Sequence, residues 1–398
     1  MRDSISNTDA RRLFMHLHRL SDPRDKTKGC NNLPDLINSI GFAQIDSIRT
    51  VERAHHHIIF SRCQSYQREW LKIHLEKKRT LFENWTHDAS IIPMAFFPYW
   101  KVRFERAHSK IISSPWWLKR IGQNADSTCR AVLNYVAENG PVKARDIKTD
   151  FNGRGVSKGN WWGWHPGKAA LVFLWRTGKL AVAGRKNFEK IYDLTENVIP
   201  KKFLDIYPSE EEYLGWNCLT AMERIGFGSH SEIAKYWDGI TATEAGVWCK
   251  DSKNNYIREI KIEDTMGDTY SSWAHVDIFE WLKKVPEPPG HIRFISPFDP
   301  LIRDRKRTKR LFGFDFKIEI FVPEEKREFG YYVYPILEKD RFIGRIEFKA
   351  NITTGTLEVR GLWLEVGIEY TKTRKSKIEA ELRRWKKFIG LKSIEWPQ

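Results

Sequence analysis

Lys179-Leu180-Ala181-Val182-Ala183-Gly184-Arg185-Lys186, then Asn187-Phe188, then Glu189-Lys190-Ile191-Tyr192-Asp193-Leu194 reads as a strand, a basic turn and a second strand. Three helices are expected ahead of it. One covers residues 127–138 and ends at Gly140-Pro141, a short second covers 142–148, and a third covers 165–177, opened by Pro166 in its first turn. Three helices and a basic hairpin are the layout of a winged helix, a relative of the helix-turn-helix. The pattern returns from about residue 207. A helix over 209–224 opens on Ser209-Glu210-Glu211-Glu212, acid at the positive end of its dipole. Helices over 229–237 and 241–250 and a strand over 256–263 follow, a structural repeat that is faint in sequence.

Working outward, residues 8–125 read as mostly helical. Leu13, Leu17 and Leu20 recur at helical spacing before Ser21-Asp22-Pro23, and a helix over 33–40 stops at Gly41. An extended stretch over 42–46 follows, then helices around 51–60 and 93–112. Beyond the stiff Pro286-Glu287-Pro288-Pro289-Gly290, alternating runs over 331–337, 343–348 and 356–364 read as strands, and 371–390 as a basic amphipathic helix. The expected fold is α+β and mainly helical: tandem winged-helix modules followed by a small antiparallel β-barrel.

The chain has 398 residues, enough for two or three domains at about 150 each. Its longest wholly apolar run, 169–175, is far short of the roughly 20 residues of a membrane span. Residues 1–12 hold no apolar core of a secretory signal. Five cysteines more than 30 residues apart (Cys30, Cys63, Cys129, Cys218, Cys249) exclude a disulfide framework and a CxxC zinc site. A cytoplasmic, nucleoid-associated protein is expected, monomeric and without cofactor or membrane partner. The net charge of +16 points to a polyanion. Residues 303–310 hold six basic residues against one acidic, and 371–398 hold nine against three, so these two short segments supply +11 of it.

Candidate phosphate contacts follow from that distribution. The run Arg303-Asp304-Arg305-Lys306-Arg307-Thr308-Lys309-Arg310 offers Arg303, Arg305, Arg307, Lys309 and Arg310, unless it is a solvated helix face. The hairpin turn offers Arg185 and Lys186, with Lys168 on the preceding helix, although winged helices also bind proteins. Gly153-Arg154-Gly155-Val156-Ser157-Lys158-Gly159 fails as a nucleotide loop, because Lys158 stands where the third glycine belongs. It reads as a loop beside Trp161, Trp162 and Trp164, any of which could stack a base. His55-His56-His57 cannot converge on one metal ion, since adjacent helical residues point about 100° apart. One imidazole, His55, is expected to face a phosphate or the reaction site.

Gln44-Ile45-Asp46 remains. On an extended chain the amide and the carboxylate share one side while Ile45 anchors behind. Such a pair can hold a water and stabilise developing positive charge. Polar alternation on an exposed strand has the same appearance.

The surroundings decide between these readings. Gly41-Phe42-Ala43-Gln44-Ile45-Asp46-Ser47-Ile48, leading to Arg53-Ala54-His55-His56, resembles the catalytic segment of the AlkZ/YcaQ (AlkX) DNA glycosylases. Three further matches follow in family order. These are Leu81-Phe82-Glu83-Asn84-Trp85-Thr86-His87-Asp88-Ala89-Ser90, Trp161-Trp162 with 168–171, and Ser296-Pro297-Phe298-Asp299 through 307–314. The resemblance implies three winged-helix modules around duplex DNA (residues 1–125, carrying the catalytic motif, 126–206 and 207–285). It also implies a β-barrel over 290–370 and a basic tail over 371–398. The implied activity is hydrolysis of the N-glycosidic bond of N7-alkylguanine in double-stranded DNA, including the unhooking of interstrand crosslinks, without lyase chemistry. Gln44 and Asp46 are the implied catalytic pair. With Asp at the second position the chain resembles the broader branch, which accepts nitrogen-mustard-type adducts. A winged-helix transcription regulator without enzymatic activity is the rival reading.

Overall fold

The computed structural model describes residues 4–26, 29–121, 125–147, 166–253 and 255–397. The glycine-rich loop 153–159 and Trp161, Trp162 and Trp164 lie outside the described residues. The chain divides into two units, Gln67–Trp216, and Met1–Tyr66 together with Asn217–Gln398. Among the described residues no helix is long and apolar enough to cross a membrane.

In the unit Gln67–Trp216 the quoted strands form as read, Leu180–Lys186 antiparallel to Glu189–Leu194. Asn187 and Phe188 take up the two positive φ angles that a tight hairpin turn of this hand needs. Two expectations change. The short helix over 142–148 is instead a strand, Val142–Lys143, paired with Glu189–Leu194, and a 3-10 turn, Ala144–Asp146. Val142 is buried and Lys143 is not, the in–out alternation of a sheet edge. The helix expected from 93 starts at Phe97, because Ala89–Pro93 pairs with Leu81–Trp85 from Leu81↔Pro93 to Trp85↔Ala89. Pro93 holds the residue before it extended, and Pro98 suits the first turn of Phe97–Ile112. The core sits between the helices Ala125–Asn139 and Pro166–Arg176 and the sheet, around Val132, Val136, Leu171, Trp175, Leu180 and Tyr192.

The second unit carries two sheets. One is four-stranded, in the order Ser4–Ile5, Ile257–Glu263, Thr269–His275, Phe227–Gly228. Thr269–His275, which the pattern does not predict, pairs with Ile257–Glu263 along its whole length. Helices His230–Trp237 and Ala242–Asp251 each open on a capping box, Ser229 with Glu232 and Thr241 with Glu244. The other sheet runs Ile292–Phe294, Tyr334–Glu338, Arg341–Asn351, Thr356–Leu364, Ser393–Glu395. It is a curled half-barrel rather than a closed barrel. Its last strand runs parallel to its neighbour, and the rest of the sheet is antiparallel.

Helix Lys372–Ile389 buries Ile378, Leu382 and Trp385 together with a carboxylate, Glu381. Burial alone would raise that carboxyl. The Arg384 and Arg24 guanidinium groups overcome it and hold Glu381 down at about 2. Deeper still, Arg62 and Asp299 form a doubly hydrogen-bonded pair at 2.7 and 2.8 Å with no exposure on either side. Removing one partner strands a desolvated charge, so Asp299→Ala is expected to cost about 3–5 kcal/mol. Replacing both residues by apolar ones should restore much of that loss. Urea unfolding of the single and double variants measures both effects.

Candidate active site

Gly41 ends the helix Leu33–Ser39 at φ 74°, where a Cβ would sit 2.9 Å from the Trp237 ring and 3.0 Å from the Arg224 side chain. Only glycine allows that close approach. The turn is then tied down from outside: Tyr236 Oη donates to the Ile40 carbonyl at 2.9 Å and Arg224 Nη2 to that of Asn38 at 2.8 Å. Phe42 packs fully buried against Tyr236 and Trp237. From this anchor the strand Ala43–Gln44 emerges. Gln44 is 3 % exposed and Ile45 is buried, whereas Asp46 is half-buried. The regular strand stops at Gln44, and Asp46 folds into a local turn in which Oδ1 accepts the Ile48 N–H at 2.7 Å. The carboxylate is thereby held by its own backbone.

The half-barrel supplies the neighbourhood. Thr50 and Tyr334 hydroxyls meet at 2.6 Å, and the Ala350 N–H reaches the Thr50 carbonyl at 2.9 Å. Burial pushes the Tyr332 hydroxyl well above the ordinary phenol range. The neighbouring Tyr334 and the Asp46 charge add to the rise, and a hydrogen bond with Ser296 opposes it. The sequence assigns no site role to Tyr332, nor to Ser296, which enters it only within a family match. The signal was present in Tyr331-Tyr332-Val333-Tyr334, read only as strand, whose regular part begins at Tyr334.

The three histidines separate as helical geometry requires. His55 is buried with its ring 4.2 Å from that of His56, and His56 Nδ1 meets the Tyr66 hydroxyl at 2.7 Å. His57 meets Phe294 O at 2.8 Å, stacks on the Tyr334 ring and has the Trp385 ring tilted against it at 4.2 Å.

A sequence model of the AlkZ-like DNA glycosylases matches residues 37–388. The chain belongs to that family. The solved Streptomyces sahachiroi DNA glycosylase AlkZ shares its fold, with a TM-score of 0.65 over the whole of both chains at 14 % identity. As an AlkZ-like DNA glycosylase it acts on DNA, and the cations proposed from sequence are placed as follows.

Arg303 donates to the carbonyls of Tyr236, at 2.8 Å, and Lys235, at the end of one helix. Arg305 donates to those of Ile302 and Pro297 at 2.8 and 2.7 Å. Arg307, buried between the Phe14 and Phe227 rings, donates to the Phe227 and Ile225 carbonyls, both at 2.9 Å. It shares Glu232 with Arg310, and Lys309 holds Asp315 at 2.6 Å. Lys306 is exposed. Much of the basic run therefore turns inward onto carbonyls and carboxylates.

In the other unit, Lys186 is exposed at the hairpin turn and Lys168 is half-buried on the helix Pro166–Arg176. Arg185 grips Glu83 through two hydrogen bonds of 2.7 Å. Burial would raise the Glu83 carboxyl, but Arg185 and Lys190 outweigh it and hold it low. Lys190, 3.4 Å above the Trp175 ring, is lowered to about 8 by burial.

Burial lowers His57 to about 4, against 6.5 when free. The unfolded chain therefore takes up this proton first. The stabilising effect of neutral His57 is complete above 6.5 and is lost as the pH falls toward 4. The full loss from this group is about 3 kcal/mol. In His57→Gln the acid slope of the urea midpoint between pH 6.5 and 4 should flatten accordingly. An unchanged slope would assign the acid sensitivity elsewhere.

Proposed function

We propose that the enzyme hydrolyses the N-glycosidic bond of N7-alkylguanine in duplex DNA, crosslinked guanines included, with Asp46 and Gln44 as its catalytic groups. The observation that carries this is the half-buried Asp46 carboxylate, held by the Ile48 N–H and two residues beyond a buried Gln44 in the family segment. N7-alkylated guanine is already cationic and leaves with little help from a general acid. The remaining barrier is the oxocarbenium-like sugar and the delivery of water. The ionised Asp46 stabilises the sugar cation and polarises the water, and Gln44 positions that water. No lysine nucleophile enters, so the product is an abasic site in an intact strand.

Winged-helix modules over 126–206 and 207–285 carry the duplex. Their strand pairing supports this reading. In each, the short strand between the first two helical segments (Val142–Lys143, Phe227–Gly228) pairs with the last strand of the hairpin. Lys186 and Lys168 are the duplex-facing candidates of the first of these modules.

Incubation with duplexes carrying N7-methylguanine or a nitrogen-mustard crosslink, then resolved with and without heat or alkali, tests the proposal. Cleavage is expected only after heat or alkali, with the crosslinked strands separating. Gln44→Ala should slow base release by roughly tenfold or more. Direct strand scission, or no abasic sites, would overturn the assignment.

A further inference from the structure

A notch of about 270 Å³ opens between the helix His230–Trp237 and the start of the helix Arg305–Phe312, with Phe14 and Phe42 forming part of its wall. We propose that this notch seats one backbone phosphodiester of the DNA, held by Lys235 and Lys306 over Arg303 and Arg305. The inference rests on DNA as substrate and adds where a phosphate docks relative to Gln44 and Asp46.

The charge balance of the lining favours an anion. Five cations (Lys235, Arg303, Arg305, Lys306, Arg307) face two carboxylates, Glu232 and Asp304. Glu232 is paired inside the fold with Arg307 and Arg310, and Asp304 caps the helix by accepting the Arg307 backbone N–H at 3.0 Å; with both carboxylates counted, five minus two, the lining keeps a net charge of +3. Arg305 donates to the Ile302 and Pro297 carbonyls, which orient its guanidinium without cancelling its charge, and the Tyr236 carbonyl orients Arg303. Lys235 and Lys306 are exposed at the rim, on stems free to close over a bound group. The Arg307 Nε, buried in the same lining, has no acceptor among the described residues. At about 30 Å³ per water, the notch holds several waters that a phosphate can displace. Phe42 ties the notch to the site: the Arg303 guanidinium lies 5.5 Å from its ring, and Gln44 follows two residues on. A phosphate here sets the register of the strand that carries the reacting nucleotide, a positioning contact that carries no sequence information.

The test compares Lys235→Gln/Lys306→Gln with wild type in binding an undamaged duplex across salt concentrations. Each phosphate neutralised adds about 0.9 to the slope of log affinity against log salt, so loss of this one seat in the double variant should lower the slope by about 0.9. Between 50 and 200 mM salt, wild type should then lose about three- to fourfold more affinity than the variant. A control exchange at exposed positions elsewhere in the same unit, Lys284→Gln/Lys339→Gln, should leave the slope unchanged. If the control lowers the slope equally, or the notch variant does not lower it, the notch is not a phosphate seat. Inorganic phosphate at constant ionic strength separates the sources. Protection of wild type but not the variant against heat, with the duplex slope unaltered, would assign the notch to free phosphate and overturn the backbone reading. Absence of any duplex binding by wild type would remove the DNA reading and the notch together.

Discussion

The Arg62–Asp299 pair is the constraint on which the unit carrying Gln44 and Asp46 depends. A fully desolvated ion pair is tolerable only when nearly every donor and acceptor is filled. Arg62 also donates Nε to the His18 carbonyl at 2.7 Å and Nη1 to that of Ile58 at 2.9 Å, and Asp299 accepts the Leu301 N–H at 3.0 Å. The pair therefore locks the end of the helix Asn7–Leu17, the end of the helix Ala54–Phe60 and the loop after Ile292–Phe294 to one point. Arg293, equally buried, adds donations to the carbonyls of Ser61 and Asp22, both at 2.6 Å. The loop so fixed carries Ser296, the hydrogen-bond partner of Tyr332. Polar interlocks of this kind add less to net stability than apolar packing of the same volume would, but they admit one arrangement.

Much of the fold was legible because its signals are local. The hairpin 180–194 is announced by two short runs around a basic turn, and the helices expected over 229–237 and 241–250 form as His230–Trp237 and Ala242–Asp251. Failures came where a partner far away in sequence decides. Thr269–His275 exposes much of its length and alternates weakly, and its strand identity comes from pairing with Ile257–Glu263. Val142–Lys143 is a strand because Tyr192 and Ile191 offer it a free edge.

The candidate site shows the same division. Gln44 and Asp46 could be selected from their spacing and neighbours. The turn that fixes Asp46, and the buried tyrosine wall beside it, could not. The basic run is the sharper lesson. Six cations in eight residues suggest a row of phosphate contacts, yet Glu232 on another element takes Arg307 and Arg310, Lys309 holds Asp315, and Arg303 and Arg305 are oriented by backbone carbonyls. Charge counted along a chain does not reveal which cations face the partner. That depends on carboxylates and helix ends brought in by the fold.

The central claim is that a negative charge at position 46 stabilises a sugar cation. The most direct measurement is the single-turnover rate of base release from an N7-methylguanine duplex by Asp46→Asn, at protein concentrations that saturate the DNA. Asparagine keeps the shape and can still accept the Ile48 N–H, so only the charge is removed. A loss of about 100-fold or more with duplex affinity retained is the expected result. A rate within a few-fold of wild type would contradict the account.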